Sequence, residues 1–163
     1  MAEIEIGNAK YETLDDKTAS AESIYSCMET TFQKTVKIEG KEYTVTRLGW
    51  FYYVKNIPDS VTSIGGLLKC SNITIPDSVT SIGGLWNCSN ITIPDTVTSI
   101  GSMWGCSNMK INFPKGIKSL YPISGLKGIT IPDSVTSMGY MNYCSDITIP
   151  DSVTSMGYMN NCS

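Results

Sequence analysis

The chain has 163 residues, a net charge of −3, a pI near 4.9 and no histidine. Lysine and arginine form no basic run or periodic basic face, which argues against a nucleic-acid partner. The missing histidine removes the commonest general base and the commonest transition-metal ligand.

The amino terminus, Met-Ala-Glu-Ile-Glu-Ile, has neither the basic start nor the apolar run of a secretory signal. No stretch has the length and hydropathy of a membrane span. Synthesis in the cytoplasm is therefore expected, with incorporation into a virus particle or surface assembly left open, and the six cysteines are read as reduced thiols.

Residues 1–38 form a non-repetitive segment in which seven acidic residues outnumber the lysines. Ile4 and Ile6 alternate with glutamates and predict a short strand. Asp15 or Thr18 then starts a predicted helix running to about Phe32, with Ile24, Met28 and Phe32 along one face. Lys37 to Val45 reads as a hairpin around Glu39-Gly40, opening a second segment, 39–54. Its remainder is a disguised first coil: Val45, Leu48, Gly49, Phe51 and Val54 occupy the places of Val79, Ile82, Gly83, Leu85 and Cys88 further on.

Residues 55–163 are one sentence rewritten, best seen in Ile73 to Asn90, I-T-I-P-D-S-V-T-S-I-G-G-L-W-N-C-S-N. Pro58, Pro76, Pro94, Pro114, Pro132 and Pro150 mark the register, spaced by 18 residues except for one step of 20. The coils are 55–72, 73–90, 91–110, 111–128, 129–146 and 147–163, the third carrying the inserted pair Met109-Lys110. Counting Ile73 as position one, positions one, three, seven, ten, thirteen and sixteen are apolar and should point inward. The intervening Thr74, Asp77, Ser78, Thr80 and Ser81 should face water or make turns. Pro76-Asp77 is type I turn chemistry. Six inward side chains cannot offset the ordering entropy of a whole coil, so each coil depends on its neighbours.

This repeat, I-T-I-P-D-S-V-T-S-I-G followed by an apolar pair and C-S, resembles the BspA-like leucine-rich repeats of bacterial surface proteins, some protists and some viruses. The segment between Gly83 and Ile91 is shorter than that family's usual form and lacks its alanine-phenylalanine helical turn. The expectation is a mainly β fold: a parallel, right-handed solenoid of about six slim, three-sided coils, with a small α+β amino-terminal cap. The resemblance implies a non-enzymatic interaction or adhesion module. A structural or decoration subunit of a virus particle or other large assembly is the alternative reading.

The candidate sites lie where the repeat is decorated. Cys70, Cys88, Cys106, Cys144 and Cys162 share a column with Leu126, so they read as packing and not as a metal or disulfide site. Cys27 lies outside it. The aspartates Asp59, Asp77, Asp95, Asp133 and Asp151 read as turn formers, not a calcium ladder, and Lys115 interrupts them. The hydroxyl row is interrupted at Gly116-Ile117-Lys118, which disfavours ice binding, the remote alternative. Position fourteen carries Tyr52, Leu68, Trp86 and Trp104, then Ser124, Asn142 and Asn160. This apolar strip is either covered by the 18–32 helix or free for a partner protein or host surface. Tyr140, Tyr143 and Tyr158 form a milder cluster, and Lys115 and Lys118 mark the divergent fourth coil as a docking patch or a drifted repeat. The final coil lacks a polar cap, which predicts that another chain covers it. No nucleophile–base pair, phosphate loop or meaningfully spaced pair of acids is found, so neither an enzyme activity nor a cofactor is expected.

Overall fold

The structure, a computed structural model, describes residues 2–23, 29–106 and 113–163. All regular elements among these residues are strands, so no helix there is long and apolar enough to cross a membrane. The amino-terminal strands are β1 (Glu3–Ile6), β2 (Ala9–Thr13) and β3 (Thr18–Ser23), followed by β4 (Thr35–Ile38) and β5 (Lys41–Tyr52). The repeats contribute β6 (Ser63–Leu68), β7 (Ser81–Trp86) and β8 (Ser99–Trp104). The short pairs β9 (Ser119–Leu120) and β10 (Ile123–Ser124), β11 (Ser137–Met138) and β12 (Met141–Asn142), and β13 (Ser155–Met156) and β14 (Met159–Asn160) complete them. From β5 onward every coil-to-coil pairing is parallel, giving a β-solenoid whose coils follow the proline register. Single parallel bridges such as Ser71↔Ser89 and Thr74↔Thr92 join the other sides of the coils.

Each part of the repeat has a physical role. Val79, Ile82, Leu85, Ile73, Ile75 and Cys88 are buried and stack on their counterparts in a continuous core. The chain turns the corner at Pro-Asp, where the Val79 N–H donates to the Pro76 carbonyl at 3.0 Å, and the same bond recurs from Val61, Val97, Ile117, Val135 and Val153. Proline is therefore the first residue of the turn and aspartate the second, so proline stands one place earlier than its usual position.

Thr74 and Thr80 face water as predicted, and the hydroxyls of this stretch also serve as rungs between coils. Ser78 Oγ donates to the Val61 carbonyl at 2.7 Å, and Ser60, Thr96, Ser134 and Ser152 do the same from their coils. Thr80 Oγ1 and Thr98 Oγ1 reach the carbonyls of Thr62 and Thr80 at 3.3 Å. A parallel stack leaves carbonyls pointing along its axis, and these side chains satisfy them. These bonds account for the serines and threonines structurally.

From the fourth coil the strand splits in two. Pro122 has no N–H to give the ladder, and the break at Tyr121-Pro122 is repeated at Gly139-Tyr140 and Gly157-Tyr158. Bonds from the Gly139 N–H to the Leu120 carbonyl and from the Ile123 N–H to the Tyr140 carbonyl keep the coils in register. The insertion Met109-Lys110 lies outside the described residues; beyond it Ile123 pairs with Met103 and Ser124 with Trp104, so the register is restored.

Among its described residues the amino-terminal cap is all β, which corrects the α+β expectation. Thr18 to Ser23 is not the start of a helix but β3, antiparallel to β2 and parallel to β5. The misleading signal is Asp15. Its Oδ1 accepts the N–H groups of Lys17 and Thr18 at 2.8 and 2.7 Å, an Asx turn that uses the same chemistry as a helix cap. Ala19 and Ala21 are then small enough to be fully buried against β5. Of the predicted helix face, Ile24 and Met28 lie outside the described residues, as does Cys27, while Phe32 is buried edge-on against Phe51 with ring centroids 4.5 Å apart. β1 and β2 form the expected alternating strand and its partner, so the outermost edge of this end carries exposed Glu3 and Glu5. The hairpin joins β4 to β5, with Glu39 and Gly40 both at positive φ as its tight turn requires.

Candidate functional site: an aromatic face

The second half of each coil strand sends positions twelve and fourteen to the same outer side. Register places Tyr52, Leu68, Trp86, Trp104, Ser124, Asn142 and Asn160 in one line. Two residues earlier runs a parallel line: Trp50, Gly66, Gly84, Ser102, Pro122, Tyr140 and Tyr158. The two lines together carry the predicted strip and, with Tyr140 and Tyr158, most of the predicted tyrosine cluster on one surface.

Glycines shape that surface. The Trp50 ring lies over Gly66, and Trp86 folds back over Gly84 and Gly66 to meet it, ring centroids 4.4 Å apart and planes 37° off. A Cβ at Gly66 would sit 2.5 Å from Trp50 Cε3 and 2.8 Å from Trp86 Cζ3, so the absent side chain makes the seat for both indoles. The face stays open: Trp50 is 49% exposed and Trp104, one coil beyond Trp86, is 51% exposed. At the other end Tyr140 and Tyr158 stack with centroids 5.9 Å apart and planes within 5°. Beside them Asn160 Nδ2 donates to Asn142 Oδ1 at 3.2 Å, continuing the line in polar form.

Next to the aromatics runs a shallow groove of about 450 Å³ lined by Ser63, Ser81 and Ser99 on one side, floored by Gly65, Gly83 and Gly101, and ended by Tyr121. The floor must be glycine. A Cβ at Gly83 or Gly101 would overlap the carbonyl oxygen of Gly65 or Gly83 in the coil before. At the amino-terminal end Glu22 covers the equivalent Gly49.

Trp50 is the residue that sequence reasoning missed. It stands two places before Tyr52, on the same side of an extended strand, and the glycines opposite it were the readable sign that a large ring occupied the space. Lys115 and Lys118 are exposed, but they fall in the columns of the proline turn, away from the strand face; Lys115 interrupts the aspartate line between Asp95 and Asp133. The structure does not bring these two lysines together with the aromatics.

The cysteine column is interior. Cys70, Cys88, Cys106 and Cys144 are buried free thiols, and Leu126 takes the same buried place. These thiols also make polar contacts, with Cys88, Cys106 and Cys144 donating to the carbonyls of Leu67, Leu85 and Ile123, 21 residues back. Hydrogen bonds to the neighbouring Cys106 and Cys70 thiols, with burial added, push the Cys88 thiol far above its ordinary range; burial pushes Cys144 up as well. Cys88 and Cys144, held protonated, are therefore poor nucleophiles and poor metal ligands, while hydrogen bonds to Cys88 pull the buried Cys70 and Cys106 thiols down. Among the described residues, no group of three or more cysteine or acidic side chains is placed to hold a metal ion.

The profile of the BspA type leucine-rich repeat region matches residues 51–160 in six copies. The chain belongs to the BspA-type leucine-rich repeat family. No curated protein matches it. Two solved structures are similar: a leucine-rich repeat protein from Bacteroides ovatus (18% identity, TM-score 0.45) and a leucine rich cell surface protein from Faecalibacterium prausnitzii (17% identity, TM-score 0.46). The chain is covered to 94% and 95% in these comparisons, and it spans 61% and 50% of the two proteins. BspA-type repeats here run in 18-residue steps, shorter than the roughly 20–29 residues common in leucine-rich repeats.

Proposed function

We propose that this BspA-type solenoid is a non-enzymatic recognition and adhesion module that engages its partner through the aromatic face of positions twelve and fourteen. The observation that carries the reading is the trio Trp50, Trp86 and Trp104, the first and last half exposed and all three held on the outer face instead of in the core. Large rings held open to water are unfavourable in isolation and mark contact surfaces. Repeat solenoids supply such surfaces as a rule, because their columns extend one kind of side chain over many coils. The test is retention of bacterial and mammalian cells on the immobilised protein. Trp50→Ala with Trp104→Ala should abolish retention while leaving the urea midpoint unchanged; full retention by the double variant would refute the assignment.

A further inference from the structure

We propose that the amino-terminal half of this face binds a neutral, hydroxyl-rich glycan chain laid along the solenoid axis. The inference rests on the recognition reading above and names its ligand class.

Three features point to this chemistry together. First, the rings present flat apolar surfaces next to hydroxyls: Trp50 and Trp104 are half exposed, and the groove beside them is walled by Ser63, Ser81 and Ser99 and ended by the exposed Tyr121. A pyranose is amphipathic in the matching way, with axial C–H bonds on its faces and hydroxyls around its rim, so the faces pack on indoles while the rim bonds to serine. Ser81 Oγ donates to Ser63 Oγ at 3.1 Å, and since each hydroxyl has one donor and two lone pairs, bonding capacity remains for a ligand.

Second, the lining is uncharged. The residues that line the groove include no acid or base; at its amino-terminal end stand Glu22, over Gly49, and the exposed Arg47, whose strand position pairs with Ser63. Along its length the groove offers a charged ligand no counter-charge, whereas a neutral polar one needs none. Third, the site repeats. The coils stack about 4.8 Å apart, so the serine and glycine columns and the rings beside them extend along roughly 14 Å from Trp50 to Trp104, a length suited to a polymer of repeating sugars. The floor of glycines lets such a chain lie close to the backbone, as the steric account of Gly83 and Gly101 requires. A compact ligand would use only one register of this array.

The protein reports on the site by itself, because its three tryptophans are Trp50, Trp86 and Trp104. Titration of the full chain with cellohexaose, laminarihexaose, xylohexaose and mannohexaose should shift tryptophan emission for at least one of them. Trp104→Ala, which removes an exposed ring outside the Trp50–Trp86 pair, should weaken that titration about tenfold, and Lys115→Ala, on a different side, should leave it unchanged. Cells treated with periodate, which cleaves vicinal diols, should no longer be retained by the immobilised protein, whereas trypsin-treated cells should be. The inference is overturned if none of the four glycans shifts the emission at millimolar concentration, or if Trp104→Ala and Trp50→Ala titrate like the parent. Retention that survives periodate but is lost after trypsin also overturns it, and then the recognition reading stands with a protein as ligand. Retention that is unaffected by the tryptophan substitutions removes both.

Discussion

Gly83→Ala is the sharpest test of how the coils stack. The added Cβ would overlap the Gly65 carbonyl oxygen, which belongs to backbone and has no rotamer to escape into. Coils 55–72 and 73–90 must therefore separate locally. Overpacking of this kind costs about 1–3 kcal/mol. If the separation also weakens the Thr80 N–H bond to the Thr62 carbonyl, now 2.9 Å, about 1 kcal/mol more is lost. The expected destabilisation is then about 2–4 kcal/mol, concentrated at one coil interface, as nearest-neighbour coupling demands. Gly116→Ala is the control: nothing lies within 4 Å of its Cβ, and its φ is outside the left-handed region. It should stabilise by about 0.4–1 kcal/mol through the unfolded chain. Urea denaturation followed by tryptophan emission measures both. A Gly83→Ala midpoint within about 0.5 kcal/mol of the parent would refute the claim that carbonyl contact, and not chance, keeps this column glycine.

Other consequences follow from the same geometry. Tyr143 is exposed and adopts a left-handed φ of 54°, at a position where other coils place Asn87 and Asn161, so Tyr143→Asn should raise stability by about 0.5–1 kcal/mol in the same assay. The Cys144 thiol is pushed up by burial, so its contribution is fully present below the ordinary thiol value of about 8.5. Above that pH the unfolded chain loses the proton and the folded one keeps it, so stability falls by at most about 1.4 kcal/mol per pH unit for this group. Cys144→Val should flatten the alkaline limb of the stability profile, and an unchanged slope would contradict the assignment. Cys88, held protonated between its neighbours, should resist a thiol-exchange reagent at pH 8 until the protein is unfolded.

The period of the prolines makes the coil, its inward columns and the pairing register legible from sequence alone, because a stack repeats one solution and its errors cannot hide. Tyr52, Leu68, Trp86 and Trp104 fall into one line for that reason. The amino-terminal segment does not repeat and offers only local signals. Asp15 there serves an Asx turn with the residue pattern of a helix cap, and Thr18 to Ser23 mixes small residues that fit either structure until β5 selects the strand. Trp50 is hidden because the repeat fills its column with Gly66, Gly84 and Ser102, small residues that read as part of the coil and not as the space a ring needs. The rungs among the outward hydroxyls stay hidden because alternation tells only that a side chain leaves the core. It does not tell that the neighbouring coil offers Ser78 a carbonyl at 2.7 Å.

The central claim is that function sits on the outer columns of the repeat and not in its interior. Comparing the Trp50→Ala, Trp104→Ala double variant with Cys88→Val in the cell-retention assay, each checked for an intact fold by urea denaturation, tests it most directly. Loss of retention in the tryptophan double variant with retention kept by Cys88→Val is the predicted result. Retention kept by the former and lost by the latter would place the binding surface elsewhere.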